Sequence, residues 1–127
     1  MTGLKKIACV EDDADIRAII KLALGDLGGF DVALYENGMD ALEHVEQFQP
    51  QLIILDMMMP GIDGMETLKK IREKAQLKST PAIFMTAKAQ PSEVQNYVKS
   101  GALGVIVKPF DPVTLADQVN EFWRDAA

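Results

Sequence analysis

Four short apolar runs in this chain each end on a polar group able to do chemistry. Glu11 and Asp12 follow Ile7-Ala8-Cys9-Val10, Asp56 follows Leu52-Ile53-Ile54-Leu55, Thr86 follows Ala82-Ile83-Phe84-Met85, and Lys108 follows Val105-Ile106-Val107. A run such as Leu52 to Leu55 reads as a strand buried on both faces, and it has no reason to end in a carboxylate unless the chain surfaces there. Pro60-Gly61 and Asp63-Gly64 then enforce turns, so Asp56 sits on a strand tip held by a stiff loop and is a candidate nucleophile. Three carboxylates brought together repel one another, and the usual remedies are protonation or a hard divalent cation with oxygen ligands. The expected cofactor is Mg²⁺. Its charge would keep Asp56 ionised and neutralise an incoming phosphoryl group, with Lys108 pairing one phosphoryl oxygen and Thr86 hydrogen-bonding another. The product would be an aspartyl phosphate of about −1.5 to −2 charge, enough to draw Thr86 and its loop inward. Moving a two-state ratio from 1:99 to 99:1 takes about 5.5 kcal/mol of differential interaction.

The elements that must position these groups alternate. After the first run, Ile16, Ile19, Ile20, Ala23, Leu24 and Leu27 follow helical spacing, with Asp12 or Asp13 as cap and Gly28-Gly29 as the stop. Phe30, Val32 and Leu34 alternate with less apolar positions, the pattern of an edge strand. Asn37 can cap a second helix carrying Leu42, Val45 and Phe48, which stops before Pro50. Met65, Leu68 and Ile71 mark a third helix, and Val94, Tyr97 and Val98 a fourth, entered through Pro91-Ser92-Glu93 and ended at Ser100-Gly101. Asp111-Pro112 reads as a cap and first helical position for a fifth, with Leu115, Val119, Phe122 and Trp123 on its core stripe. Strands alternating with helices imply parallel strands joined by right-handed crossovers, with helices on both faces. Ligands bind such sheets beyond the strands' carboxyl ends, where the four polar groups would converge.

Composition narrows the class. At 127 residues, 48% hydrophobic and 25% charged, the chain is one ordinary domain over 1–127 rather than a disordered or disulfide-dense one. Its single cysteine, Cys9, lies in an apolar run and reads as a buried thiol in a reducing compartment. No run approaches the roughly 18 apolar residues of a membrane span, and the N-terminus lacks a signal peptide's apolar segment, so the expected location is cytoplasmic. A net charge of −6 argues against direct nucleic-acid binding, which needs clustered Lys and Arg.

Over essentially its whole length the chain resembles the receiver (response-regulator) domains of two-component signalling, the single-domain chemotaxis type among them. The matching motifs are Val10-Glu11-Asp12-Asp13, Leu55-Asp56-Met57-Met58-Met59-Pro60-Gly61 with Asp63-Gly64, Met85-Thr86-Ala87, and Val107-Lys108-Pro109-Phe110. The resemblance implies a flavodoxin-like, doubly wound α/β/α fold whose five parallel strands run in the order 2-1-3-4-5. It implies Asp56 as phosphoacceptor, Asp12 as direct Mg²⁺ ligand, Glu11 as a water-mediated one, and the backbone carbonyl of Met58 as another. Thr86 would be the switch hydroxyl, Lys108 the phosphoryl partner, and Lys108-Pro109 a cis bond. The activity implied is a phosphorelay switch rather than an enzyme on outside substrates, limited to Mg²⁺-dependent phosphorylation and dephosphorylation of its own Asp56. The implied partners are a sensor histidine kinase or histidine phosphotransfer protein and a downstream protein target or fused output domain.

One position departs from the family's pattern. Receivers often carry Tyr or Phe three residues before the lysine, where this chain has Val105. An aromatic flip there cannot be the readout, so rearrangement of the Ala87 to Pro91 loop, repositioning the fourth helix with Tyr97 as reporter, is the expectation in its place. Met58 and Lys88 fall where family members vary the lifetime of the phosphate.

Other classes fit less well. A flavin-binding domain would want a Ser/Thr/Gly-rich phosphate loop after the first strand, and Glu11-Asp12-Asp13 would repel that phosphate. An aspartate-based phosphatase would want a second carboxylate two residues after the nucleophile, where Met58 stands. The runner-up is a non-phosphorylated, receiver-like protein-binding module, which would keep the fold but lose an acidic or lysine position. His44 reads as a surface residue, Met57 to Met59 as packing rather than copper ligands, and Trp123 as either an interface anchor or core.

Overall fold

The apolar runs become strands because their β-branched and aliphatic residues can be covered on both faces. The computed structural model describes residues 3–87 and 90–126. Among them, five strands form one parallel sheet: β1 (Lys6–Val10), β2 (Asp31–Tyr35), β3 (Leu52–Asp56), β4 (Ala82–Thr86) and β5 (Ala102–Val107), in the order β2-β1-β3-β4-β5. Every residue of β3 and β4 is buried, whereas β2 at one edge is only half covered, as its alternating sequence requires.

The connecting helices are α1 (Ala14–Ile20), α2 (Gly38–Phe48), α3 (Gly64–Ile71), α4 (Pro91–Lys99) and α5 (Leu115–Asp125). Alternate strand residues point to opposite faces, so the core has two halves. Val10, Leu55 and Phe84 pack with Ala41 and Val45 of α2 and Leu68 and Ile71 of α3. Cys9, Ile54 and Met85 pack on the other face with Ile20 of α1 and Leu115 and Val119 of α5. The result is the three-layer, doubly wound arrangement with ligand sites beyond the strands' carboxyl ends.

The structure departs from the sequence reading in four local ways. After Ile20 the first helix continues as a more widely wound π-helical stretch over Lys21–Leu27. Each residue there turns the chain less than in an α-helix, so Leu27 leaves the core stripe and is 61% exposed. Strand β5 starts at Ala102, ahead of the apolar run, because Gly104 sits inside it: a Cβ there would run into the ring of Phe122. Helix α5 starts at Leu115 rather than at Pro112. The Asp111 carboxylate accepts from the Val113 amide at 2.9 Å and its carbonyl from the Thr114 amide at 3.2 Å, so Asp111-Pro112 makes a turn instead of a cap. A short 3₁₀ turn, Ala75–Leu77, follows α3 and buries Leu77. No helix among the described residues is long and apolar enough to cross a membrane.

Candidate functional site

Sheet register brings the four polar groups to one edge. Val10 lies opposite Leu55, Asp56 opposite Met85, and Thr86 opposite Val107, so the residues ending or following β1, β3, β4 and β5 form a row. They line one open cleft of about 240 Å³ with Glu11, Asp12, Asp56, Met58, Thr86 and Lys108 in its wall. Glu11, Asp56 and Thr86 are buried, while Asp12 is exposed at the mouth.

The loops that carry these groups are tightly tied. Glu11 donates its amide to the carbonyl of Tyr35 at 3.0 Å, fixing it to β2. Asp13 caps α1, its carboxylate accepting from the amides of Asp15 at 2.8 Å and Ile16 at 3.2 Å. Asp63 caps α3 in the same way, accepting from the Glu66 amide at 2.8 Å. Gly64 then lets α3 approach β3 closely, since a Cβ there would run into the backbone carbonyl of Asp56. The Lys108 amide donates to the Thr86 carbonyl at 2.9 Å, joining the β4 and β5 ends, and the Lys108–Pro109 bond is cis.

Lys108 is the electrostatic centre. Its Nζ lies 2.9 Å and 3.1 Å from the two Glu11 carboxylate oxygens and 3.2 Å from Asp56 Oδ1. The Met58 amide also reaches Asp56 Oδ1, at 3.4 Å. Burial, then hydrogen bonding to Asp56, pushes the Glu11 carboxyl up to about 7, against the opposing pull of Lys108. Desolvation and Asp56 raise Asp12 as well. Glu11 and Asp56 hold the Lys108 ammonium above its ordinary range, outweighing its own burial. One ammonium is therefore shared by a group of carboxylates it cannot fully neutralise.

That deficit defines what the site can hold. Glu11, Asp12 and Asp56 each offer an oxygen within 4.8 Å of the others, an all-oxygen donor set that suits Mg²⁺ and not a softer metal. Met59 is buried and Met57 partly so, which is packing, but the Met58 side chain is 71% exposed at the cleft. His44 is exposed on α2 and pairs with Asp40 at 3.0 Å, away from the cleft. Trp123 is half-buried in the α5 half of the core. Lys88 lies outside the described residues, as does part of the loop from Ala87 to Pro91.

Two features escaped the sequence reading. One is the Lys108–Glu11 pair, which spans 97 positions and depends on sheet register. The other is Arg17, whose Nη1 donates to the backbone carbonyls of Glu11 at 2.8 Å and Asp12 at 3.0 Å. The available signal for Arg17 was its place one helical turn after the capping Asp13.

Residues 7–120 match the protein family described as the response regulator receiver domain. The chain is 36% identical over 104 residues to response regulator Rre1 of Synechocystis, a match covering 81% of this chain and 45% of that protein. It therefore spans less than half the length of that relative. It is 32% identical over 119 residues to chemotaxis protein CheY-3 of Vibrio cholerae, covering 94% of this chain and 92% of that protein. The solved structure of Vibrio cholerae chemotaxis protein CheY4 superposes with a TM-score of 0.86 at 32% identity, covering 94% of this chain and 99% of that one.

Proposed function

The chain belongs to the response regulator receiver domains of two-component signalling, and on that premise we propose that it is a switch operated by phosphorylation of Asp56. The observation that carries this reading is the single cleft in which Asp56 meets Lys108 at 3.2 Å, beside the oxygens of Glu11 and Asp12 and next to Thr86. Glu11, Asp12, Asp56 and the Met58 carbonyl are the groups that would hold Mg²⁺, which when bound supplies positive charge against the phosphoryl oxygens.

The chain's own residues do the rest. An Asp56 carboxylate oxygen attacks the phosphorus of a phosphohistidine; the new O–P bond forms as the P–N bond breaks, and the electron pair leaves with the imidazole. Lys108, already 3.2 Å from Asp56, exchanges its carboxylate partners for a phosphoryl oxygen. Thr86 hydrogen-bonds another, drawing the end of β4 toward the cleft and repositioning α4 through the loop that follows. The burial of Asp56 limits access of water to its carboxylate. The phosphodonor is a histidine kinase or histidine phosphotransfer protein, the domain spans 1–127 in the cytoplasm, and the output is altered binding of a partner protein or fused domain.

Intact mass after incubation with acetyl phosphate tests this, with and without Mg²⁺, on the native protein and on Asp56→Asn. We expect one Mg²⁺-dependent phosphoryl adduct, absent from the variant. No adduct on the folded native protein would reject the reading and leave a receiver-like binding module.

A further inference from the structure

The β1–α1 loop carries two of the three carboxylates, and it leaves the sheet before it delivers them. The last residue of β1 in register with β3 is Val10, opposite Leu55. Beyond it, Glu11 is still anchored through its amide to Tyr35, but Asp12 is exposed and lies past that anchor. A carboxylate on such a residue would be free to swing with the backbone torsions of the loop.

Arg17 closes the loop. It lies one turn into α1, its own amide donating to the Asp13 carbonyl at 2.9 Å. From there its side chain folds back over the helix N-terminus, and a single guanidinium nitrogen, Nη1, bridges the carbonyls of Glu11 (2.8 Å) and Asp12 (3.0 Å). Asp13 meanwhile reaches forward to the amides of Asp15 and Ile16. The segment from 11 to 17 is thus tied in both directions. Fixing two successive carbonyls fixes the peptide planes that aim the Glu11 and Asp12 side chains.

Resting on the Mg²⁺ reading above, we propose that Arg17 is a positioning residue for the metal site, holding Glu11 and Asp12 in binding geometry through their backbone carbonyls. The proposal has a sign that a purely electrostatic role would reverse. A guanidinium beside a cation site repels the cation, so if charge alone mattered, removing Arg17 would tighten Mg²⁺ binding. If the loop's order matters more, removal loosens it, as loss of an outer-shell support typically does by about 10-fold or more.

The test is titration calorimetry with Mg²⁺ alone on the native protein, Arg17→Ala and Arg17→Lys, alongside the thermal midpoint of each without metal. We expect Arg17→Ala to bind Mg²⁺ about 10-fold more weakly, and Arg17→Lys, which keeps a donor on a shorter side chain without the fixed, planar pair of N–H groups that Nη1 presents, to fall between it and the native protein. The metal-free midpoint should move little, separating positioning from general stability. Unchanged or tighter Mg²⁺ binding by Arg17→Ala would overturn the proposal while leaving the receiver reading intact. Failure of the native protein to bind Mg²⁺ would overturn both. Should Arg17→Ala not fold, native-like affinity in Arg17→Lys overturns the proposal and weakened affinity supports it.

Discussion

The two sides of the cleft are held to very different degrees. Both central strands, β3 and β4, are wholly buried, but on the β1–β3 side the loops after β1 and β3 are tied by the Asp13 and Asp63 caps, the Tyr35 carbonyl and Arg17. On the β4–β5 side, α4 buries none of its residues, and β5 alternates buried with half-buried positions out to Val107, which is 50% exposed. Helix α4 is tied at its far end, where Arg72 donates to the carbonyls of Ser100 at 3.1 Å and Gly101 at 3.4 Å. Its near end, at Gln90, has no side-chain cap. In the proposed switch, groups that must meet a phosphoryl group at fixed distances need a rigid mount, whereas an element that reports the event must move at small cost. The same sheet edge supplies both.

The largest contrast should appear in stability. Ile54→Ala, on the wholly buried β3, should cost about 2–5 kcal/mol, whereas Val98→Ala on the exposed face of α4 should stay within about 0.5 kcal/mol. Urea denaturation of both variants measures this, and comparable losses would erase the distinction between the two sides.

Lys108 links the two sides, being carried by β5's end and paired with Glu11 and Asp56. Lys108→Ala leaves the buried Glu11 without its cation and should cost about 2 kcal/mol in metal-free buffer. Mg²⁺ bound by the same carboxylates would offset that loss, so its addition should raise the thermal midpoint of Lys108→Ala by more than that of the native protein. Equal gains would mean that the metal and Lys108 do not share the carboxylates.

A pH-dependent effect follows from the Glu11 carboxyl, pushed up from 4.5 to about 7 by burial and Asp56. A folded-state value above the unfolded one means that the proton on Glu11 stabilises the fold. That contribution is complete below about pH 4.5 and is lost as pH rises through about 7. In metal-free buffer, stability from this source should fall by up to about 3 kcal/mol across that window. Glu11→Gln, neutral throughout, should remove this part of the slope and leave only that of Asp12, which is raised in the same direction. Lys108, raised above its ordinary value, contributes no titration in that range.

What could be read from the sequence was governed by kind of interaction. Asp56, Thr86 and Lys108 were visible because each interrupts an apolar run, and the sheet follows from runs alternating with helical spacing. The start of β5 was hidden by Gly104, whose lack of side chain answers to Phe122 rather than to the strand pattern. Asp111-Pro112 carries signals shared by caps and turns, and the turn prevailed because the Asp111 carboxylate found the Val113 amide. Leu27 kept α-helical spacing in a segment that winds more widely. Arg17 was hidden because its partners are backbone carbonyls, which every residue has, so that only its place one turn after the capping Asp13 marked it. The Lys108–Glu11 pair could not be read until sheet register was known.

The finest test uses the two tyrosines, which happen to mark the two sides. Tyr35 is buried at the end of β2, and its carbonyl holds Glu11. Tyr97 is half-buried on α4, its ring against Phe84 with centroids 5.4 Å apart, and burial followed by Glu93 raises its phenol above the usual range. With ring-labelled tyrosine, acetyl phosphate and Mg²⁺ should shift the Tyr97 NMR signal and leave that of Tyr35 nearly in place; neither should move in Asp56→Asn. A still Tyr97 would mean that α4 does not carry the readout. Equal shifts at both rings would mean that the β1–β3 side yields with the rest, and that the ties around Glu11 and Asp12 do not isolate the chemistry from the motion it drives.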